Sequence, residues 1–521
     1  MTKHETWQEF SRDEKLKIIA DGLETTGKPA YSNRHVVVVG AGMAGLVAAY
    51  ELQRTKLCKV TVLEARQTVG GRIRTIRDPF FSPGLYGEAG AMRIPNAHVL
   101  TMEYIGNTKS RDADTLYTSA FSQSDKNAKC HFNGISLKWH EYEEAAKVGM
   151  DCFGFGLQEK DCFKTIEQKF KEEVLEPLDR KRRIAIINGK SEDEALDELM
   201  KPLESYSTRR YLAEVIKWEK NVINAFGIVE NQTARLNNSV VALLREYLTE
   251  SFDVLYQING GMDLLPRSFL PALQEHIQFG AKMCGLEKTT SPAGALIYYT
   301  LPNGEQKLQR AEYAIITTPL PTLRHLVFEK REAKKNALPD EYGLSQRKQS
   351  AIQGLNYSAA GKILFQCKER FWELEGITGG RSQTDLGIRA VWYPTTQEHQ
   401  SKRAILLASY TWGIDSERWT HLSSVDRLNY AIRELAQIHP RLIDEPDLIE
   451  GGFSIMWQND EFSGGAFALT DPYQEVHDEA CREPEGRFHF AGEHTSLNYH
   501  RWIEGAVESG LRAAWEVYHA R

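Results

Sequence analysis

The clearest change of pattern along the chain lies where four consecutive valines, Val36 to Val39, run into the spaced glycines Gly40, Gly42 and Gly45. An apolar run without polar alternation predicts a strand buried on both faces, as in a parallel sheet. The periodicity then changes to that of a helix over about Ala44 to Arg54, and a second apolar strand covers Lys59 to Leu63. Upstream, Ser11-x-x-Glu14 is a capping box that predicts a short helix through Ile18 and Ile19. Downstream, the Gly/Pro-rich stretch from Phe80 to Pro95 reads as a loop. Beyond Trp139 the pattern turns helical for over a hundred residues. Phe163, Ile166, Phe170, Val174 and Leu178 are spaced as one buried helix face, Ser191-x-x-Glu194 caps another helix, and Arg209 to Asn221 and Asn238 to Leu248 read as two more.

Strand character returns at Val254 to Ile258, followed by Gly260-Gly261-Met262-Asp263 and a short helix. Ile297 to Leu301 and Gln306 to Ala311 flank the turn Pro302-Asn303-Gly304 and predict a hairpin. Tyr313 to Thr317, Lys362 to Gln366, Ile388 to Trp392, Ala404 to Tyr410 and Phe488 to Phe490 read as further strands, and a long helix closes the chain. The fold class expected is α/β, α+β overall. A Rossmann-like domain would be assembled from residues 33–75, 259–352 and 482–521, and a mixed-sheet domain from 76–135 and 353–481. A helical insertion would occupy 136–258, and an N-terminal helical arm 1–32.

Composition narrows the function classes. At 521 residues the chain is too long for one core, and its 41% hydrophobic and 26% charged content is that of a globular protein. A net charge of −7 gives no electrostatic reason to bind nucleic acid or an acidic membrane surface. No apolar run reaches the roughly 18 residues of a membrane span, and the N-terminus lacks a signal-peptide core. The seven cysteines are dispersed with no C-x-x-C pair, which predicts reduced thiols in a cytoplasmic protein and no metal site. The basic cluster Arg180 to Arg183 reads as a solvated helix end.

The glycines carry chemistry. G-x-G-x-x-G between strand and helix permits a tight turn, close approach of backbone N–H groups to a pyrophosphate, and close packing of helix on strand. The helix N-terminus adds a positive dipole. Glu64, at the end of the second strand and 24 residues after Gly40, can accept both hydroxyls of an adenosine ribose. A dinucleotide is therefore expected here, with Gly40, Gly42, Ala44, Gly45 and Glu64 in contact with it.

The stretch that follows, Ala65-Arg66 and then Gly70-Gly71-Arg72, resembles the second pyrophosphate-contacting segment of the flavin amine oxidase superfamily. The closing FHFAGEHTS, Phe488 to Ser496, is similar to that superfamily's last flavin segment. Together they imply FAD. Glu493, beside Gly492, would hold the ribitol–pyrophosphate region, and a helix from Trp502 and Ile503 would face the pyrimidine edge of the ring. No cysteine stands in Thr495-Ser496-Leu497-Asn498-Tyr499, so the FAD is expected to be non-covalent. Gly90, Ala91, Met92 and Met283 complete the implied cofactor contacts.

Within that superfamily most of the chain resembles the L-amino-acid oxidases. GAMRIP, Gly90 to Pro95, is similar to the segment whose arginine binds the substrate carboxylate, so Arg93 takes that role, suited to it by a bidentate guanidinium fork. Tyr393 matches a tyrosine that donates to the same carboxylate, and Lys362 the lysine that holds a water against flavin N5. The resemblance puts Gln257, Trp457, Phe467 and Trp502 around the substrate, although Phe467 could equally be core. The chain departs from the pattern twice. Arg501 replaces a small residue before Trp502, so that it either points to solvent or reshapes the pocket rim. Arg245 stands where some members carry a histidine, so no general base is named. The implied activity is oxidation of an L-amino acid by dioxygen to the 2-oxo acid, ammonia and hydrogen peroxide, in a homodimer or higher homo-oligomer. Alternatives are an amine oxidase, an amino-acid monooxygenase, or a binding protein of the GDP-dissociation-inhibitor type. Side-chain preference stays open between bulky apolar groups and a basic group met by Glu250, Asp253, Asp460 or Glu461.

Overall fold

The computed structural model describes residues 6–29, 33–249, 254–290, 292–326, 343–395 and 401–520. The valine run forms β1 (Arg34–Val39), followed by α1 (Met43–Arg54) and β2 (Cys58–Glu64). A helical region then runs to α2 (Val240–Thr249). β3 (Ile277–Phe279) and β4 (Tyr313–Ile316) come next, followed by β5 (Ala360–Cys367) and β6 (Ala404–Trp412). The chain closes with β7 (Phe488–Phe490) and α3 (Ile503–His519).

β1, β2, β3, β4 and β7 form a five-stranded sheet in the order β3-β2-β1-β4-β7, every pairing parallel. It draws strands from the beginning, middle and end of the chain. Burial on both faces explains the unbroken valines: Val36 and Val38 pack beneath α1 and α3, while Val37 and Val39 face a second core with Ile297 and Tyr299. The hairpin is present, with Ala293–Thr300 antiparallel to Gln306–Ala311. In a seven-stranded mixed sheet β5 and β6 are the second and third strands from one edge, paired from Ala360↔Trp412 to Cys367↔Ala404. Residues 139–249 are predominantly helical around a core of their own. The Ser11 capping box is made in both directions.

Two helical expectations are corrected. Phe163 is exposed and lies outside the helix it was assigned to, because Thr165 caps that helix with Gln168. The four-residue spacing of Ile166, Phe170, Val174 and Leu178 overshoots the 3.6-residue α-helical turn, and a π turn at Lys171–Leu175 takes up the drift. The helix expected over Arg209 to Asn221 is two, Thr208–Glu214 and Lys220–Val229, with Lys217 at φ 67° in the break between them. The seven cysteines are all free, and among the described residues no helix is long and apolar enough to cross a membrane.

Candidate active site

One cavity of about 880 Å³ is lined by residues of both large sheets, α2 and the start of α3. That is within the usual range for a cofactor-sized site. At one end the β1–α1 turn builds a cradle for a ligand. Gly45 must be glycine because a Cβ there would sit 1.9 Å from the Gly40 carbonyl oxygen. Gly90 is under the same constraint, 1.7 Å from the Arg72 carbonyl oxygen. Glu64 is buried at the end of β2 and accepts from Ala41 N at 2.6 Å and from Arg66 N at 2.7 Å. Burial raises its pKa, although these backbone donors oppose the rise. A carboxylate has about four acceptor sites, so Glu64 retains capacity toward the cavity it lines. The close-packed glycines, the helix end and a buried acceptor fit the adenosine and pyrophosphate of a dinucleotide.

Along the wall Arg72 donates to Glu493 at 2.8 Å and to the Ala466 carbonyl at 2.7 Å, while the Tyr357 hydroxyl donates to Glu493 at 2.8 Å. The Arg501 and Ala468 backbone N–H groups complete the shell of Glu493. Burial alone would raise the Glu493 pKa. Arg72 and neighbouring donors overcome it and hold the group down at about 2. Glu493 thus ties the Gly70-Gly71-Arg72 segment to the closing segment, two stretches that are far apart in sequence.

At the Trp502 end, Lys362 projects from β5 and donates from Nζ to the Gly90 carbonyl at 2.6 Å and the Glu88 carbonyl at 3.1 Å. Its ammonium stands 4.8 Å from the centre of the Tyr410 ring. Burial lowers its pKa to about 7, partly opposed by Glu88, whose own pKa burial raises to about 7. The Arg93 guanidinium lies 4.9 Å from the Trp392 ring centre and 6.0 Å from that of Trp502. Trp457 fixes the loop before Arg93 by donating from Nε1 to the Ala89 carbonyl at 2.9 Å. His98 packs edge-on against Trp502, with centroids 5.0 Å apart. Tyr410, Trp412 and Phe467 form an aromatic wall, each ring edge-on to the next at 5.4 and 5.9 Å.

Arg93, Lys362, Trp457, Phe467 and Trp502 all line this cavity. So do Gly40, Gly42, Ala44, Glu64, Ala65, Arg66, the 70–72 and 90–92 segments, Met283, Gly492, Glu493 and Ile503. Gly45 supports the turn from behind. Two expected residues are not brought in. Tyr393 points into the core of the mixed sheet, its hydroxyl engaged with Ser382 at 2.7 Å and His439 Nε2 at 2.8 Å. The reason is strand alternation: Trp392 turns toward Arg93, so the next side chain faces the opposite way. Gln257 donates to Ser119 and lines, with Tyr393, a separate small cavity of about 80 Å³.

The residues missed are Tyr410, Trp412 and Glu246. Lys362 pairs directly with Tyr410 across β5 and β6, so the period of two, counted from the lysine already singled out, would have found Tyr410 and Trp412. Arg245 turns away from the cavity to Asn498 and Asp197, and its neighbour Glu246 faces in. Arg501 points inward; it lines the cavity and pairs with Glu246 at 2.7 Å. Of the acidic candidates for a basic side chain, Asp460 is held by Arg66 and Glu461 by Lys282, and Glu250 and Asp253 lie outside the described residues. Among the described residues no group of His, Cys, Asp and Glu is arranged to hold a metal ion.

The sequence model of flavin-containing amine oxidoreductases matches residues 43–518. The chain belongs to that family. It is a family of flavoprotein oxidoreductases, and the binding-protein alternative falls away. Relatives include YobN of Bacillus subtilis (strain 168), provisionally named an L-amino-acid oxidase, which is 33% identical over 97% of this chain and 98% of its own. The L-amino-acid oxidase of the fish Siganus canaliculatus is 30% identical over 97% of this chain and 88% of its own. Among solved structures, putrescine oxidase matches with a TM-score of 0.69 at 18% identity, covering 93% of this chain and 99% of its own. Cyclohexylamine oxidase from Brevibacterium oxydans IH-35A matches with 0.66 at 17% identity, covering 93% and 98%. These two likenesses establish the fold and leave the substrate open.

Proposed function

We propose that this chain is an FAD-dependent L-amino-acid oxidase. The observation that carries the reading is Arg93, a guanidinium set between Trp392 and Trp502 in the wall of the cavity. An amine without a carboxylate has no use for such a group, whereas an amino acid offers it a bidentate partner. FAD would be held non-covalently by the glycine turn, Glu64, Arg72 and the 492–493 segment. FAD bound there would supply the redox chemistry, accepting the substrate's Cα hydrogen as hydride and returning two electrons to dioxygen as hydrogen peroxide, and water would hydrolyse the oxidised product to the 2-oxo acid and ammonia. Arg93 binds the carboxylate and Tyr410, in place of Tyr393, donates a second hydrogen bond to it. Trp502 and Phe467 wall the Cα and side chain, so that fixing one end of the substrate positions the other. Lys362 holds a proton at Nζ beside the reacting face. No side chain is assigned as general base, and the substrate is bound with its amine neutral.

The test is peroxide release by the purified protein from L-leucine and L-phenylalanine, their D-enantiomers, and their decarboxylated amines. Oxidation of the L-amino acids alone is expected. Faster oxidation of the amines would replace this reading with that of an amine oxidase, and an amide product without peroxide would make the chain a monooxygenase.

A further inference from the structure

The closing helix α3 begins with a buried carboxylate that the reaction above does not use. Glu504 is 1% exposed and accepts from Leu100 N at 3.0 Å, Thr101 N at 2.8 Å and the Thr101 hydroxyl at 2.6 Å. Leu100 and Thr101 open the helix Val99–Gly106, and the first N–H groups of any helix lack partners within it. The side chain of its N-cap residue, His98, does not cap it; the ring packs edge-on against Trp502. The cap comes instead from a residue 404 positions after Leu100. A carboxylate suits that place, because it also meets the positive end of the helix dipole. Burial raises the Glu504 pKa to about 7, and the Thr101 and Leu100 donors oppose the rise.

This contact closes a ring through the substrate end of the cavity. From Arg93 the chain passes through Ile94 and Pro95, which pair with Tyr256 and Leu255, to His98 and the capped helix. Glu504 fastens that helix to α3. Trp502, the N-cap of α3, stands two residues before Glu504, with its ring centre 6.0 Å from the Arg93 guanidinium. α3 is a fixed reference for both, because it is seated directly on α1: a Cβ at Gly510 would lie 2.4 Å from the Ala44 carbonyl oxygen.

We propose that Glu504 is a positioning residue, which sets the spacing of Arg93 and Trp502 by capping the helix Val99–Gly106. This rests on the amino-acid-oxidase reading, in which those two side chains meet the carboxylate and Cα of one substrate, and deepens it. A misplacement of about 1 Å in such a site can cost about 100-fold.

The experiment measures the Kd of isocaproate, which is L-leucine without its amino group, by calorimetry on the flavin-loaded protein at a pH above the Glu504 pKa. Glu504→Gln keeps the side-chain volume and turns an amide N–H toward the helix donors, so binding should weaken about tenfold. Thr101→Val removes one hydroxyl donor and should weaken it about threefold, which keeps the test open if the glutamine variant fails to fold. On a Trp502→Leu background neither change should weaken binding further, since the spacing then has only one wall. A merely structural cap would lower the melting temperature without moving these affinities. Unchanged Kd in the variants, or losses that add to that of Trp502→Leu, would overturn the proposal. Wild-type protein that binds isoamylamine and not isocaproate would instead overturn the carboxylate reading beneath it.

Discussion

Arg93, half-buried, and Glu493, buried, show how differently two charges in one cavity behave. Arg93 is set among tryptophan rings at the place where a substrate carboxylate would bind. Truncating one side of such a buried pair costs about 2–5 kcal/mol, so Arg93→Ala should lower kcat/KM for L-leucine by about 30-fold or more, while Arg93→Lys, a point charge without the fork, should recover only part of it. Unchanged kinetics in the alanine variant would remove Arg93 from the site. Glu493 is bound by the protein itself. Its folded pKa of about 2 lies below the ordinary glutamate value of 4.5, so its contribution is fully present above about pH 4.5 and is lost as pH falls toward 2. The difference corresponds to about 3 kcal/mol. Melting curves of the wild-type protein and Glu493→Gln should therefore be well separated at pH 7 and converge as the pH is lowered through that window. A gap independent of pH would mean that the ion pair with Arg72 is not its source.

Elements decide which residues reach the cavity, and the sequence reveals them unevenly. The glycine turn, the paired valine strand and Glu64 were legible because backbone geometry at a nucleotide cradle permits few residues: a Cβ at Gly45 has nowhere to go. Lys362 was legible as a charge opening an apolar strand. Tyr393 lies in the core of the mixed sheet, where the alternation of side chains along a strand puts it. Trp392 and Tyr393 are adjacent and point oppositely, and the tyrosine that meets Lys362 is its cross-strand partner Tyr410. Arg245 and Glu246 are likewise adjacent on α2, and only Glu246 lines the cavity. The two tyrosines give a direct check. Tyr410→Phe should raise KM for an amino acid by about tenfold, one hydrogen bond to a charged group, with little change in stability. Tyr393→Phe should leave KM nearly unchanged and cost about 1–3 kcal/mol of stability, since Ser382 and His439 lose a buried partner. The reverse pattern would restore Tyr393 to the site and remove Tyr410.

On the scale of the whole molecule, the cavity is a seam. Its lining comes from the parallel sheet, from the mixed sheet and from both ends of the sequence, and the Arg66–Asp460 ion pair joins the two parts. A ligand that fills the seam contacts all of these parts at once, so binding should stabilise the fold as a unit. A ligand that binds only the folded state adds about 2.7 kcal/mol at 100 times its Kd and about 4.1 kcal/mol at 1,000 times. In the proposed function, the end of the cavity built from β1, α1 and Glu64 would take the adenosine half of FAD. FMN carries the same reactive ring without that half, so it should engage only the Trp502 end. Flavin-depleted protein titrated with FAD should therefore show a melting temperature that rises with concentration and a return of activity, with one transition for the entire chain. FMN at equal concentration should give a much smaller rise. If FMN stabilised as strongly as FAD, the glycine cradle would have no part in cofactor binding, and the assignment of that end of the cavity would fail even with the substrate end intact. If FAD split the melt into two transitions, the seam would be joining independently stable halves and not completing one fold.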